Sequence, residues 1–464
     1  MGKKMVSTSK RKTMPISISE EEKPYCVPEN WIWVHWGSVG QLIAGSGFPN
    51  SYQGFGEYEI PFYKVGNLKQ ADTHGYLYKC ENTINDIMRT QIKATLIPDH
   101  SIVFAKIGEA IRLNRRSINS VPCCIDNNMM AFVPQKCDMR YAYYWSLGID
   151  LYQFTNATTV PAIRKSDLEV IPFPLPPLSE QQRIVDRIES LFAKLDEAKE
   201  KAQAVVDGFE DRKAAILHKA FTGELTEKWR KSNHIVVEWK KKSIGEIAFV
   251  TKLAGFEYTN SIAPNLSESG IPLFKGKNVQ QGELVLEFES YIPAEVSDEL
   301  SRSKLNRKCL LTPYVGTIGN IAIFDGSFEA HLGSNVGKIE VNSETSEEYL
   351  LFYLRSDIGY SELTKEKKAT AQESISIQAI RNVLVPIPSE SEQNEIVRHL
   401  TAFFTKEKEA CSLAEQVISQ IDTMKKAILA RAFRGELGTN NPTEPPVDIG
   451  ISSPCQEGTD HVPE

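Results

Sequence analysis

The chain has 464 residues, 41% hydrophobic and 24% charged, with a formal net charge of −7. That length exceeds one ordinary core and points to two domains with connectors. No apolar run approaches the roughly 18 residues of a bilayer span, and the negative balance counts against a generic polyanion binder while leaving local basic patches open.

Residues 1–24 carry Lys3, Lys4, Lys10, Arg11 and Lys12 with no apolar stretch behind them. They are expected to form a disordered basic N-terminus rather than a secretory signal, and Val6 breaks the myristoylation pattern. Residues 25–178 hold short β-like runs at Ile60–Val65, Ser101–Lys106 and Met130–Val133, punctuated by Gly, Asn and Pro, then a helical stretch at Arg140–Leu151. This predicts an α+β domain. Residues 179–238 comprise a long helix and a linker. Apolar side chains fall at Ile184, Ile188, Leu191, Leu195, Ala198, Ala202, Val205, Phe209 and Ile216, in 4-3-4-3 steps interrupted at Arg212. Pro172, Pro174, Pro176 and Pro177 stop helix from extending backwards, Ser179 with Gln182 predicts a capping box, and Gly223 stands where a C-terminal cap belongs.

Residues 239–390 repeat the first texture, with β-like runs at Ile271–Lys275, Ile321–Phe324 and Lys338–Val341 and a helical stretch at Ser346–Ser356. Residues 391–437 repeat the long helix, with Ile396, Leu400, Phe403, Ala410, Ala414, Val417, Ile421, Met424 and Ile428 on one seam, an interruption at Glu407 and a capping Gly435. Residues 438–464 are rich in Pro and acid (Pro442, Glu444, Pro445, Pro446, Asp448) and are expected to be a disordered acidic tail.

The helices are copies. Ser179–Leu225 recurs as Ser391–Leu437 at a constant offset of 212, with 20 of 47 positions identical. A repeat of this period marks a duplicated module rather than a solenoid. A seam held at 3.5 residues over about six heptads predicts a coiled coil, and about 43 residues give a rod on the order of 65 Å. The fold class expected is α+β: two globular domains joined by two long helices forming a coiled coil, with pseudo-two-fold internal duplication. The competing reading packs each helix on its own domain. If the helices cross antiparallel near their middles, Arg212 and Glu407 come close and can fix the register. The domains share landmarks: Ile60–Asn67 matches Ile271–Asn278, Asn128 matches Asn335, and Ile107-Gly108 matches either Val315-Gly316 or Ile318-Gly319.

The sequence offers little catalytic equipment. Gly270 and Gly276-Lys277 miss P-loop spacing, with Asn278 in place of Ser or Thr. No dinucleotide fingerprint follows a strand, no adenine-methyltransferase tetrapeptide occurs, and the eight histidines include no metal-spaced pair. The eight cysteines are scattered, with one adjacent pair, Cys123-Cys124, and no C-x-x-C, which favours reduced thiols in a cytoplasm. Neither domain is basic overall: residues 24–178 carry 13 basic and 13 acidic side chains, and residues 239–388 carry 16 and 19. Local clusters supply the candidates for DNA contact: Lys64, Asn67, Lys106, Arg112, Asn114, Arg115, Arg116 and Asn128 in the first domain, and Lys275, Lys277, Asn278, Tyr314 and Asn335 in the second. Arg and Lys take phosphate oxygens or guanine edges, and Asn pairs with adenine. The bland alternative for each cluster is a solvated face. Tyr63, Tyr76, Tyr78, Phe274 and Tyr314 read first as core.

Pro174-Leu175-Pro176-Pro177-Leu178-Ser179-Glu180-Gln181 with Ile184-Val185 resembles the specificity subunit of type I restriction–modification systems. So do the echo Pro386-Ile387-Pro388 through Ser391-Glu392-Gln393 with Ile396-Val397, and the helix ends Ala220–Trp229 and Ala432–Leu437. The resemblance runs from about residue 25 to 437, specific in the helices and architectural elsewhere. It departs after Leu437, where nothing matches Thr226–Trp229, and at Ser389-Glu390, which replace the Pro-Leu step. In that family each globular domain reads one half of a bipartite, asymmetric DNA site, and the two helices pair as an antiparallel coiled coil that acts as a ruler. The resemblance implies double-stranded DNA, two methyltransferase subunits and a restriction subunit as partners. It also implies that S-adenosylmethionine, with ATP and Mg for restriction, binds those partners and not this chain. The alternative is a non-catalytic coiled-coil scaffold with two protein-binding domains. A self-sufficient nuclease or methyltransferase lacks the site it would need.

Overall fold

Two long helices organise the chain. The first runs Leu178–Asp207, breaks at Gly208 and resumes as Phe209–Phe221, whereas the second runs unbroken from Glu390 to Ala432. These come from a computed structural model that describes residues 18–78, 80–156, 160–235, 238–365 and 373–448. The chain divides into two units, residues 1–200 with 418–464, and residues 201–417. Each unit contains one strand-rich region, half of the first helix and the opposite half of the second. Among the described residues no helix is long and apolar enough to cross a membrane.

In the first unit a five-stranded sheet orders Gly40–Ala44, Met129–Pro134, Ile102–Ala105, Arg116–Asn119 and Tyr76–Leu77. Ile102-Val103-Phe104-Ala105 is an uninterrupted apolar run, and all four are buried, as a strand covered on both faces requires. A three-stranded sheet places Ile60–Tyr63 between Thr83–Ile84 and Cys124–Ile125, the last pair being parallel. Pro172 and Pro174 are confined to a two-stranded ribbon, Pro172–Leu175 against Ile32–His35, where a missing amide costs little. Trp36 anchors the core against Phe104, Phe132 and Trp145, with ring centroids 6.1, 4.7 and 5.1 Å away. Ile184, Val185 and Ile188 of the first helix join that core together with Leu429, Ala432 and Phe433 of the second. Further along, Lys425 meets Asp196 at 2.5 Å and lies 5.0 Å above the Phe192 ring.

In the second unit a four-stranded antiparallel sheet orders Ala248–Lys252, Val336–Val341, Cys309–Pro313 and Ala322–Phe324. A second sheet orders Tyr291–Ile292, Ile271–Phe274, Ala330–Leu332 and Lys304–Leu305, with Ile271–Phe274 parallel to Ala330–Leu332. Leu217, Ala220 and Phe221 share a core with Tyr349, Tyr353, Ile396 and Leu400. In both units, residues ascending one helix meet residues descending the other, so the helices pair antiparallel. The seam breakers pair as expected: Arg212 Nη2 lies 2.7 Å from Glu407 Oε2.

The two strand-rich regions share one frame, and the frame settles the open landmark. Gly108 N donates to Pro161 O at 2.8 Å, as Gly316 N donates to Glu373 O at 2.9 Å. Both glycines hold positive φ, +86° and +90°, so Val315-Gly316 is the counterpart of Ile107-Gly108.

Five expectations are corrected. The first helix begins at Leu178 rather than after Ser179, with Gln181 N bonding Pro177 O at 2.9 Å. Ser179 Oγ donates instead to Glu444 and Gln182 to Asp186, so no capping box forms. Val417 and Met424 are 42% and 47% exposed. The apolar stripe of the second helix passes from Ala414 through Ile418 and Ile421 to Lys425, because two consecutive four-residue steps displace the seam by one position. The described part of the tail, residues 438–448, is packed: Thr439 Oγ1 donates to Glu180 at 3.3 Å, and Arg183 holds Glu444 through two 2.9 Å bonds. Residues 18–24 are likewise placed, with a 3-10 turn at Glu20–Glu22, and the rest of both termini lies outside the described residues.

The packed tail also mirrors the segment after the first helix. There Thr226 Oγ1, Arg230 Nη1 and Trp239 Nε1 donate to the buried Glu392 carboxylate at 2.7, 2.5 and 3.1 Å. Glu180 and Glu392 occupy equivalent positions of the repeat, and both side chains are sequestered from solvent. Thr439 therefore does for Glu180 what Thr226 does for Glu392, after a one-residue insertion at Gly438 that hid the match in sequence.

Candidate nucleic-acid interface

In the first unit, Lys64 and Lys106 directly follow two strands of different sheets, Ile60–Tyr63 and Ile102–Ala105. Asn128 opens the neighbouring strand, and its carbonyl accepts from Lys106 N at 2.8 Å. Asp126 sits among them, its amide bonded to Tyr63 O at 3.0 Å and its Oδ1 to Asn128 N at 3.0 Å. Burial pushes the Asp126 carboxyl up, while the Asn128 bonds, Lys64 and Lys106 pull it the other way. The structure thus gathers Lys64, Lys106 and Asn128 around one carboxylate. Lys64 also bonds Gln53 and lies 5.4 Å over the Phe48 ring.

The second cluster of the first unit lies elsewhere, on the turn Glu109–Leu113 and the residues after it. Arg112 pairs with Glu109 at 2.8 Å and stacks 3.7 Å over Tyr152. Arg115 is exposed. Asn114 adopts a left-handed turn, donates to Ile149 O at 2.9 Å and accepts from Arg116 Nη2 and Leu151 N, both at 3.0 Å. Arg116 is 4% exposed, and burial lowers its pKa to about 9.

In the second unit, Lys275 follows Ile271–Phe274 as Lys64 follows Ile60–Tyr63, and its Nζ donates to Ser290 Oγ at 2.8 Å. Tyr314 occupies the place of Lys106: its amide donates to Asn335 O at 3.0 Å. Asn335 is exposed at φ +67°. Lys252, which ends the strand Ala248–Lys252, lies 4.6 Å over the Tyr314 ring. Sequence reasoning missed it, since an isolated Lys carries no signal until the strand order places it beside Tyr314. Lys277 is exposed and paired with Glu289.

Three candidates are removed from the interface. Asn278 is 1% exposed; its Oδ1 accepts from Lys275 N at 3.0 Å and its Nδ2 donates to Val285 O and Glu287 O at 2.9 Å each. Asn67 caps the equivalent turn, accepting from Lys64 N at 2.8 Å. Arg116 spends its guanidinium on Asn114 and the Arg115 and Ile149 carbonyls. Each is framework, because a buried polar group must be satisfied inside the protein. Tyr78, expected in the core, is 64% exposed.

Both halves of the chain match one family, the type I restriction modification DNA specificity domain, over residues 28–206 and 236–415. The chain belongs to that family. Among its relatives, the type I restriction enzyme EcoKI specificity subunit of Escherichia coli strain K12 is 26% identical over 430 residues, 89% of this chain and 90% of that one. The EcoBI specificity subunit of Escherichia coli is 22% identical over 431 residues, 89% of this chain and 87% of its own. Among solved structures, the HsdS subunit from Thermoanaerobacter tengcongensis shares the fold at a TM-score of 0.62 and 17% identity, covering 89% of this chain and 99% of that one.

Proposed function

We propose that this chain confers DNA sequence specificity on a type I restriction–modification complex, each strand-rich region reading one half of an asymmetric bipartite site. The observation that carries this reading is the paired basic edge. Equivalent strand ends present Lys64, Lys106 and Asn128 in one half and Lys275, Lys252, Tyr314 and Asn335 in the other. The common residues, Lys64 with Lys275 and Asn128 with Asn335, suit contacts that carry no sequence information. The divergent pair, Lys106 against Tyr314, suits reading of different half-sites.

The antiparallel helices set half-site separation and dock two methyltransferase subunits, which bind S-adenosylmethionine and methylate adenine. A restriction subunit, using ATP and Mg, cuts. The chain itself is non-catalytic and works in a reducing cytoplasm. The modest charge of each half fits a reader whose partners supply further phosphate contacts. In a mobility-shift assay, the purified chain alone binds duplex DNA weakly, and its complex with the methyltransferase subunits retards one bipartite sequence selectively. A complex that binds all duplexes alike would refute this and favour the scaffold reading.

A further inference from the structure

We propose that Arg212 is a spacing-determining residue: with Gly208 and Glu407 it locks a joint in the first long helix and so restricts the complex to one half-site separation. This rests on the functional reading above. The first helix breaks at Gly208, where the backbone ladder runs from Gly208 N to Ala204 O and from Arg212 N to Gly208 O, each 3.1 Å. The Val205 carbonyl, which an unbroken helix would offer to the Phe209 amide, accepts Arg212 Nη2 at 2.8 Å. A Cβ on residue 208 would lie 2.5 Å from Arg212 Nη1, so glycine is what lets the guanidinium fold back over the break.

The same guanidinium grips the opposite helix. Arg212 Nε lies 3.0 and 3.1 Å from the two Glu407 oxygens, and Nη2 lies 2.7 Å from Oε2. Glu407 is 14% exposed, in a seam otherwise lined here by Phe209, Phe403 and Ala410. One planar fork thus holds the broken helix to itself and to its neighbour, a geometry Lys cannot reproduce. A bidentate ion pair across the seam fixes axial register, because any slip parts the half-exposed Arg212 from Glu407 and leaves that sequestered carboxylate against apolar side chains.

The internal repeat supplies the control. In the second copy, Gln420 stands for Gly208 and Met424 for Arg212, Leu195 of the first copy stands for Glu407, and the second helix runs unbroken. The joint is therefore a one-sided addition to a duplicated rod rather than a requirement of the fold.

The test uses the full methyltransferase complex and duplexes carrying the native half-sites at the native spacer or one base pair longer or shorter. Methyl-transfer rates give a discrimination ratio between spacers. In Glu407→Gln, and in the double variant Gly208→Gln with Arg212→Met, the ratio should fall by at least about fivefold, the lower range of coupling between linked sites. Arg212→Lys should also relax it. Circular dichroism checks that each variant is folded, and Glu407→Gln, nearly isosteric, carries the test if the double variant is not. An unchanged ratio in folded variants, even with every rate lowered, overturns the lock and leaves the functional reading intact. A wild-type complex without any spacer preference overturns both.

Discussion

Asn278 illustrates how a residue that looks like a base reader can be framework. It recurs as Asn67 at the same place in the other half, and in both halves it accepts from the amide three residues earlier. Two readers of different sequences share their scaffolding more readily than their specificity contacts. Asn278→Ala leaves the Val285 and Glu287 carbonyls and the Lys275 amide without their partner. It should cost about 1–3 kcal/mol, measured as a lowered urea midpoint, with base preference unchanged. Lys106→Ala should do the reverse. Stability is kept, affinity falls evenly across duplex sequences if the contact is to phosphate, and the salt slope drops by about 1. A loss confined to one base position would instead make Lys106 a base reader.

At the scale of elements, the two helix starts share a threonine clamp on a sequestered glutamate but differ in the ion pairs around it. Glu392 receives Thr226, Arg230 and Trp239, while the first helix relies on a strap, Thr439 on Glu180 and Glu444 on Arg183. The Arg183 guanidinium, and then Ser179, hold the Glu444 carboxyl below its ordinary range. A depressed carboxylate stabilises the fold above its unfolded pKa, about 4.3, and loses that contribution as pH falls through the lower folded value. The advantage of wild type over Glu444→Gln in urea midpoint should therefore be present at pH 7 and shrink as the pH drops below about 4. A difference independent of pH would mean the strap holds by packing alone. The strap was invisible in sequence because Pro, Glu and Asp in a terminal segment signal disorder, and only the fold brings Glu444 beside Ser179 and Arg183.

At the scale of the whole molecule, the duplicated helices suggest a ruler whose length can be changed without touching the readers. Inserting one matched heptad into each helix, near Ala204 and Gln416, lengthens the pair by roughly 10 Å at 1.5 Å per residue. That is about three base pairs of duplex at 3.4 Å each. Methylome sequencing of cells expressing the variant complex should return the same two half-sites with a spacer longer by about three. An unchanged spacer would separate reading from rod length and sink the ruler.

The antiparallel pairing, and with it the approach of Arg212 to Glu407, came from the family resemblance, whereas the repeat, the coiled-coil seam and the α+β texture were legible in the chain itself. Each follows from local periodicity, from punctuation by Gly and Pro, or from two copies compared at fixed offset. Tertiary structure alone decided the break at Gly208, the shift of the seam past Val417 and Met424, and the placing of Lys252 over Tyr314. It also decided which Asn and Arg side chains are spent inside the protein. The physical reason is that periodicity records which face of an element is buried. Whether a particular polar side chain bonds inward or faces outward depends on what the rest of the chain brings beside it, and no spacing within one element encodes that.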